Sequence, residues 1–167
     1  MKITSLKILA NTALSLAMIA ASAPVYPAMH DEAACVANED TLNQLKAARS
    51  GTGAFNSIAA AEAAGYVGPV IPVPNMGVHY VNADLIDDIF EPNRPEALVY
   101  ADLGHGRLQL VAVEYLAPFS STPPAGFAGT CDQWSPFGSP PALWTLHAWI
   151  WHPNISGTFA KFNPLVP

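Results

Sequence analysis

Three residues with chemical capability sit in apolar surroundings: His79 in GVHYV, Glu114 in LVAVEYL and His147 in WTLHAWIW. In the run from Arg107 to Leu116, one parity holds Leu108, Leu110, Ala112, Glu114 and Leu116. Side chains alternate across a strand, so Glu114 is expected on the more apolar face. A buried carboxylate is costly unless it meets a cation or binds a metal. His147, on one parity with Thr145, Trp149 and Trp151, is the first partner to consider, and His79 the second. Two imidazoles and one carboxylate, each from its own strand, make a mononuclear centre with open coordination positions. Zinc, iron(II) and manganese all suit that donor set. In an enzyme, such a metal would polarise a substrate or activate water. The competing reading is a structural or small-ligand-binding domain with an internal Glu–His pair. No HxH or HExxH spacing, P-loop, dinucleotide fingerprint or nucleophile elbow is present to choose between them.

The remaining candidates carry less. His152 lies five residues beyond His147, which puts the two on opposite faces of a strand. His105 belongs to an LGHG turn, and His30 stands near the N-terminus. Asp84, Asp87, Asp88 and Glu91 recur at the spacing of one helix face and read as a solvated acidic surface. Trp134, Trp144, Trp149 and Trp151 could fill a core or line an apolar pocket.

The elements that must position these residues read as α+β: N-terminal helices packed on a largely antiparallel sheet, open or barrel-like. NEDTLNQLKAARSG predicts a helix capped by Asn38 and ended by Gly51. TGAFNSIAAAEAAGY predicts a second, with Thr52 as its cap and Gly65 in the left-handed position after it. The prolines from Pro69 to Pro74 predict an extended connection, and VHYV (78–81) a short strand. Asn82 is expected to cap a helical turn reaching Phe90. EALVYAD and RLQLVAVEYL, joined by LGHG, predict a β-hairpin. A long Pro/Gly/Ser-rich loop follows, then ALWTLHAWIW as a strand buried on both sides.

The chain has 167 residues, enough for one domain, and a formal net charge of −6. Its acidic balance argues against a nucleic-acid partner; a small-molecule ligand remains open. MKITSLK, an apolar run through Ala20 and the small residues of ASAPVYPA have the order of a secretory signal peptide. The organisation expected is a signal peptide over 1–28, a single α+β domain over 29–167, and a periplasmic or secreted location. No integral membrane segment is expected in the mature form. Export places Cys35 and Cys131, the two cysteines of the chain, in an oxidising compartment where a disulfide is expected. It would close a loop of roughly 95 residues, worth roughly 4 kcal/mol in chain entropy.

Several phrases carry a resemblance: AAEAAGY, NMGVHYVNADLIDD, PEALVY, LVAVEY and LHAWIWHPNISGTFAKFNP. From about Ala54 to Pro164 the chain resembles a family of small exported bacterial proteins. Its signature is matched by Met76-Gly77-x-His79-Tyr80-x-Asn82 and by Trp149 with Asn154. The resemblance implies export and brings no activity with it. The cupin metal pattern, with its paired HxH and following carboxylate, is not matched.

Overall fold

A computed structural model describes residues 35–70 and 72–167. The signal peptide read over 1–28, and His30, lie outside the described residues. The first helix, α1 (Glu39–Thr52), begins at Asn38 with a full capping box. The Asn38 side chain accepts from the Thr41 N–H, and the Thr41 hydroxyl accepts from the Asn38 N–H. Gly51 does not end α1, contrary to expectation; the helix runs through it and is capped at Gly53. Gly51 is needed for a different reason, since a Cβ there would run into the Asn93 carbonyl.

The second predicted helix is split into a 3-10 turn, Gly53–Asn56, and α2 (Ile58–Ala63). Ser57, not Thr52, caps α2. Thr52 is buried and already engaged: its hydroxyl donates to the Ala48 carbonyl and accepts from the Trp151 indole N–H. Gly65 takes φ +93°, as anticipated. The helical turn after Asn82 covers only Ala83–Leu85. The Asn82 side chain accepts from the Asp84 N–H but also donates to the Ala64 carbonyl, tying the end of α2 to this turn. The predicted acidic helix face therefore does not form.

Five strands make one antiparallel sheet: β1 (Val78–Val81), β2 (Ala97–Asp102), β3 (Leu108–Pro118), β4 (Ser135–Gly138) and β5 (Pro141–Ala148), in the order β1-β2-β3-β5-β4. The hairpin β2–β3 and the strand β5 fall where the sequence puts them. β4 does not; it emerges from the Pro/Gly/Ser-rich segment, where Pro136 masks the strand signal. The fold is α+β, but the sheet is open and the barrel-like alternative is wrong. Its two edges, β1 and β4, are four residues each, and each pairs with one named strand only.

The two faces of the sheet differ. Leu98, Tyr100, Val113, Tyr115 and Leu146 join one core with Phe127, Phe159 and the side chains Leu45, Phe55 and Ile58 from the helical region. Val99, Ala101, Val111, Ala112 and Trp149 form a smaller cluster with Val166 of the C-terminal tail. Cys131 belongs to the larger core and is disulfide-bonded to Cys35, 96 positions away in sequence. No helix among the described residues is long and apolar enough to cross a membrane.

Candidate metal centre

Glu114 and His147 face each other as direct cross-strand partners on β3 and β5. His79 comes from β1, two strands away from β3. Between them β2 presents Ala97, opposite Glu114, and Val99, opposite His79. These side chains are small, which allows the His79 imidazole to reach across β2 to the carboxylate.

The register explains which face Glu114 occupies. Val99 pairs with Ala112 but Tyr100 pairs with Leu110, so Val111 is an extra residue in β3. Such a bulge reverses the alternation. Leu108 and Leu110 consequently pack with the larger core, not beside Glu114 as simple parity requires. Glu114 keeps Ala112 as its face neighbour and is still buried.

His79 is itself held from both sides. Its carbonyl accepts from the Val70 N–H at 2.9 Å, while its strand pairs with β2. Gly77, just ahead of β1, has φ +91°, and a Cβ there would collide with the Tyr100 carbonyl. The glycine thus permits both the backbone conformation and the close approach that start the strand.

The three side chains converge. His79 Nε2 lies 3.3 Å from Glu114 Oε2, His147 Nδ1 lies 3.5 Å from Glu114 Oε1, and the two Nε2 atoms are 3.4 Å apart. One ligand atom from each residue falls within 4.8 Å of the others. The His147 side chain retains 1% exposure against 11% for His79 and 9% for Glu114, so access to solvent is on the His79–Glu114 side. Trp149 stacks beside His147 at 6.0 Å between ring centroids, and its indole N–H donates to the Ala160 carbonyl. The Asn154 side chain donates to the Phe162 carbonyl, further fixing the tail.

Burial dominates the electrostatics. It pushes the Glu114 carboxyl up to about 8, although a hydrogen bond from Thr145 and the charge of Lys161 both favour the carboxylate. Burial pulls His79 down to about 4 and His147 to about 3. Burial therefore favours a neutral carboxyl hydrogen-bonded to neutral imidazoles over an ion pair. A divalent cation would change this balance by favouring the carboxylate.

His152 does not join the group; its backbone N–H donates to the Val111 carbonyl. His105 is exposed in the hairpin turn, where the Asp102 carboxylate accepts from the N–H groups of Gly104, His105 and Gly106. Asp84, Asp87 and Asp88 are exposed. The sequence gives no sign of Lys161, which approaches from the irregular tail, and marks Thr145 only as a parity neighbour of His147. No family model, curated protein or solved structure matches the chain.

Proposed function

We propose that this is an exported metal-binding protein with a mononuclear centre formed by His79, Glu114 and His147. The observation that carries the reading is the spacing of the donor atoms. Two ligands held about 2.1 Å from one metal stand roughly 3.0 Å apart at right angles and roughly 3.4 Å apart at the tetrahedral angle. Two separations, 3.3 Å from His79 to Glu114 and 3.4 Å between the imidazole nitrogens, match that range, and the three donors together lie within 4.8 Å, so binding would draw them slightly inward. Two imidazoles and a carboxylate leave positions open for water or a substrate, and zinc, iron(II) and manganese are the candidate ions. In a catalytic version the metal would activate water or polarise a small-molecule substrate, with Thr145 holding the Glu114 carboxylate in place. Elemental analysis of protein isolated without chelator, beside Glu114→Gln prepared in the same way, tests the reading. A stoichiometric metal in the parent and its loss in the variant are expected.

A second reading is favoured by the direct contacts. The same distances suit a metal-free hydrogen-bonded group in a structural or ligand-binding domain. In that case Glu114→Gln preserves the network and added metal leaves the melting temperature unchanged. Periplasmic or secreted location follows the basic, apolar and small order of the N-terminus, and the Cys35–Cys131 disulfide is compatible with it.

A further inference from the structure

His79 and His147 stand on β1 and β5, with β2 and β3 between them in the sheet. An open sheet twists and coils, so the gap between strands that are not neighbours follows its curvature. The two Nε2 atoms nevertheless lie 3.4 Å apart. The C-terminal tail joins these two strands by a second route.

On the β5 side, the Thr158 carbonyl accepts from the Trp149 N–H at 2.8 Å, and the Ala160 carbonyl accepts from the Trp149 indole N–H at 2.6 Å. Trp149 follows His147 by two positions and stacks on its ring. On the β1 side, the Asn163 N–H donates to the Asn75 carbonyl at 2.8 Å, and the Asn75 N–H donates to the Pro167 carbonyl at 3.1 Å. Asn75 lies in the turn that leads into β1 and takes φ +61°, a left-handed conformation that asparagine tolerates better than most residues. Both of its backbone groups are engaged by the tail.

The two sides meet at Asn163, which is fully buried. Its backbone N–H reaches Asn75, while its side-chain amide donates at 3.0 Å to the carbonyl of Pro153, in the segment that leaves β5. Its side-chain oxygen accepts from the Leu165 N–H at 3.0 Å, and its carbonyl accepts from the Val166 N–H at 3.0 Å. Those two bonds turn the chain so that Val166 packs with Val99, Ala112 and Trp149. Each of these adjoins a different member of the site. Val99 pairs with His79, Ala112 is the face neighbour of Glu114, and Trp149 stacks on His147. Covering an apolar patch calls for Val166 alone. Bonds from one residue to both Asn75 and Pro153 also fix how far apart the histidine strands stand.

We infer that the C-terminal tail is a clasp that sets the separation of the two imidazoles, with Asn163 as its positioning residue, so that tail docking and metal binding are coupled. The inference rests on the metal-centre reading. Such coupling is reciprocal: if the docked tail favours metal binding, bound metal favours the docked tail by the same factor.

The test compares zinc, manganese and anaerobic iron(II) affinities of the mature chain, Asn163→Ala and Leu98→Ala, measured by competition with a chromophoric chelator. Leu98 is fully buried in the larger core, so its variant controls for lost stability. For the ion that the parent binds, Asn163→Ala should lose about tenfold in affinity per folded molecule, within the usual span of coupling between sites. Leu98→Ala should keep the parent value. Amide hydrogen exchange of the parent reads the reverse direction and does not depend on a variant folding. Metal should slow the Asn75, Asn163 and Val166 N–H groups under conditions where they exchange faster than those of β3, so that local opening of the tail is what is read. Parent affinity in Asn163→Ala, an equal loss in Leu98→Ala, or unchanged exchange at those three groups overturns the clasp and leaves the metal centre standing. Failure of the parent to take up any of the three ions rejects the metal centre itself, and the clasp with it.

Discussion

The two faces of the sheet are made from the same strands but serve different ends. On one, Leu98, Tyr100, Tyr115 and Leu146 fill the space beneath the helices, and even their polar atoms are used. The Tyr100 hydroxyl donates to the Phe55 carbonyl at 2.6 Å and the Tyr115 hydroxyl to the Pro92 carbonyl at 2.8 Å. On the other, Ala97, Val99 and Ala112 leave room, and three titratable side chains occupy it. Stability is concentrated where side chains are large; chemistry is possible where the neighbouring strand withholds bulk. A region whose buried polar groups depart from the best packed solution is where function is expected.

The comparison can be broken first at the larger core. Cys131→Ser should cost about 4 kcal/mol, because it frees a long loop in the unfolded chain and disturbs a packed position. Denaturant unfolding of the variant under non-reducing conditions checks this. Leu98→Ala should cost about 3 kcal/mol, the usual range for a leucine truncated in a fully buried site. If the faces are independent, metal affinity per folded molecule stays at the parent value in Leu98→Ala, as titration calorimetry would reveal.

The opposite pattern is expected on the second face. Ala97→Leu inserts bulk between His79 and Glu114 and should cost about 2 kcal/mol as an overpacked core substitution. It should also abolish metal binding, which Leu98→Ala, one residue away, does not. Glu114→Gln keeps the shape and much of the hydrogen bonding of a carboxyl that burial holds toward its neutral form. Its cost to the metal-free fold should be under about 1 kcal/mol.

The metal-free protein should also respond to pH. Glu114 is raised from 4.5 to about 8 and Glu96 from 4.5 to about 7, both chiefly by burial. The folded state holds these protons where the unfolded chain has lost them. The stability they contribute is full below 4.5 and is lost as pH rises through about 7 and about 8. His79 and His147 are lowered from 6.5 to about 4 and about 3, so their contribution is full above 6.5 and is lost as pH falls through those values. Melting temperatures measured in chelator should therefore be highest between 4.5 and 6.5 and decline on both sides. In Glu114→Gln the alkaline decline should shrink.

Much of the site was legible because an acidic residue in an apolar strand is anomalous whatever the register. Glu114 and His147 were readable on those grounds, and His79 from its place in a short strand. The reason given by parity was only half right: the extra residue at Val111 moves Leu108 and Leu110 to the other face, and no local signal in LQLVAVEY marks a bulge. The α+β class followed from the order of elements. Closure into a barrel depends on whether the edge strands meet, which periodicity does not encode. α2 began at Ser57 because tertiary contacts claimed the Thr52 hydroxyl, and β4 was hidden by Pro136. The burial of Glu96 was not legible because it stands just ahead of β2, where alternation has not begun.

The central claim, that His79, Glu114 and His147 hold a metal, is tested most directly by calorimetric titration of the chelator-stripped mature chain with zinc, manganese and anaerobic iron(II), alongside Glu114→Gln. The account predicts one ion per chain for at least one metal, with that binding lost in the variant and a raised melting temperature in the parent alone. Absence of binding by all three ions, or equal binding by parent and Glu114→Gln, would contradict it.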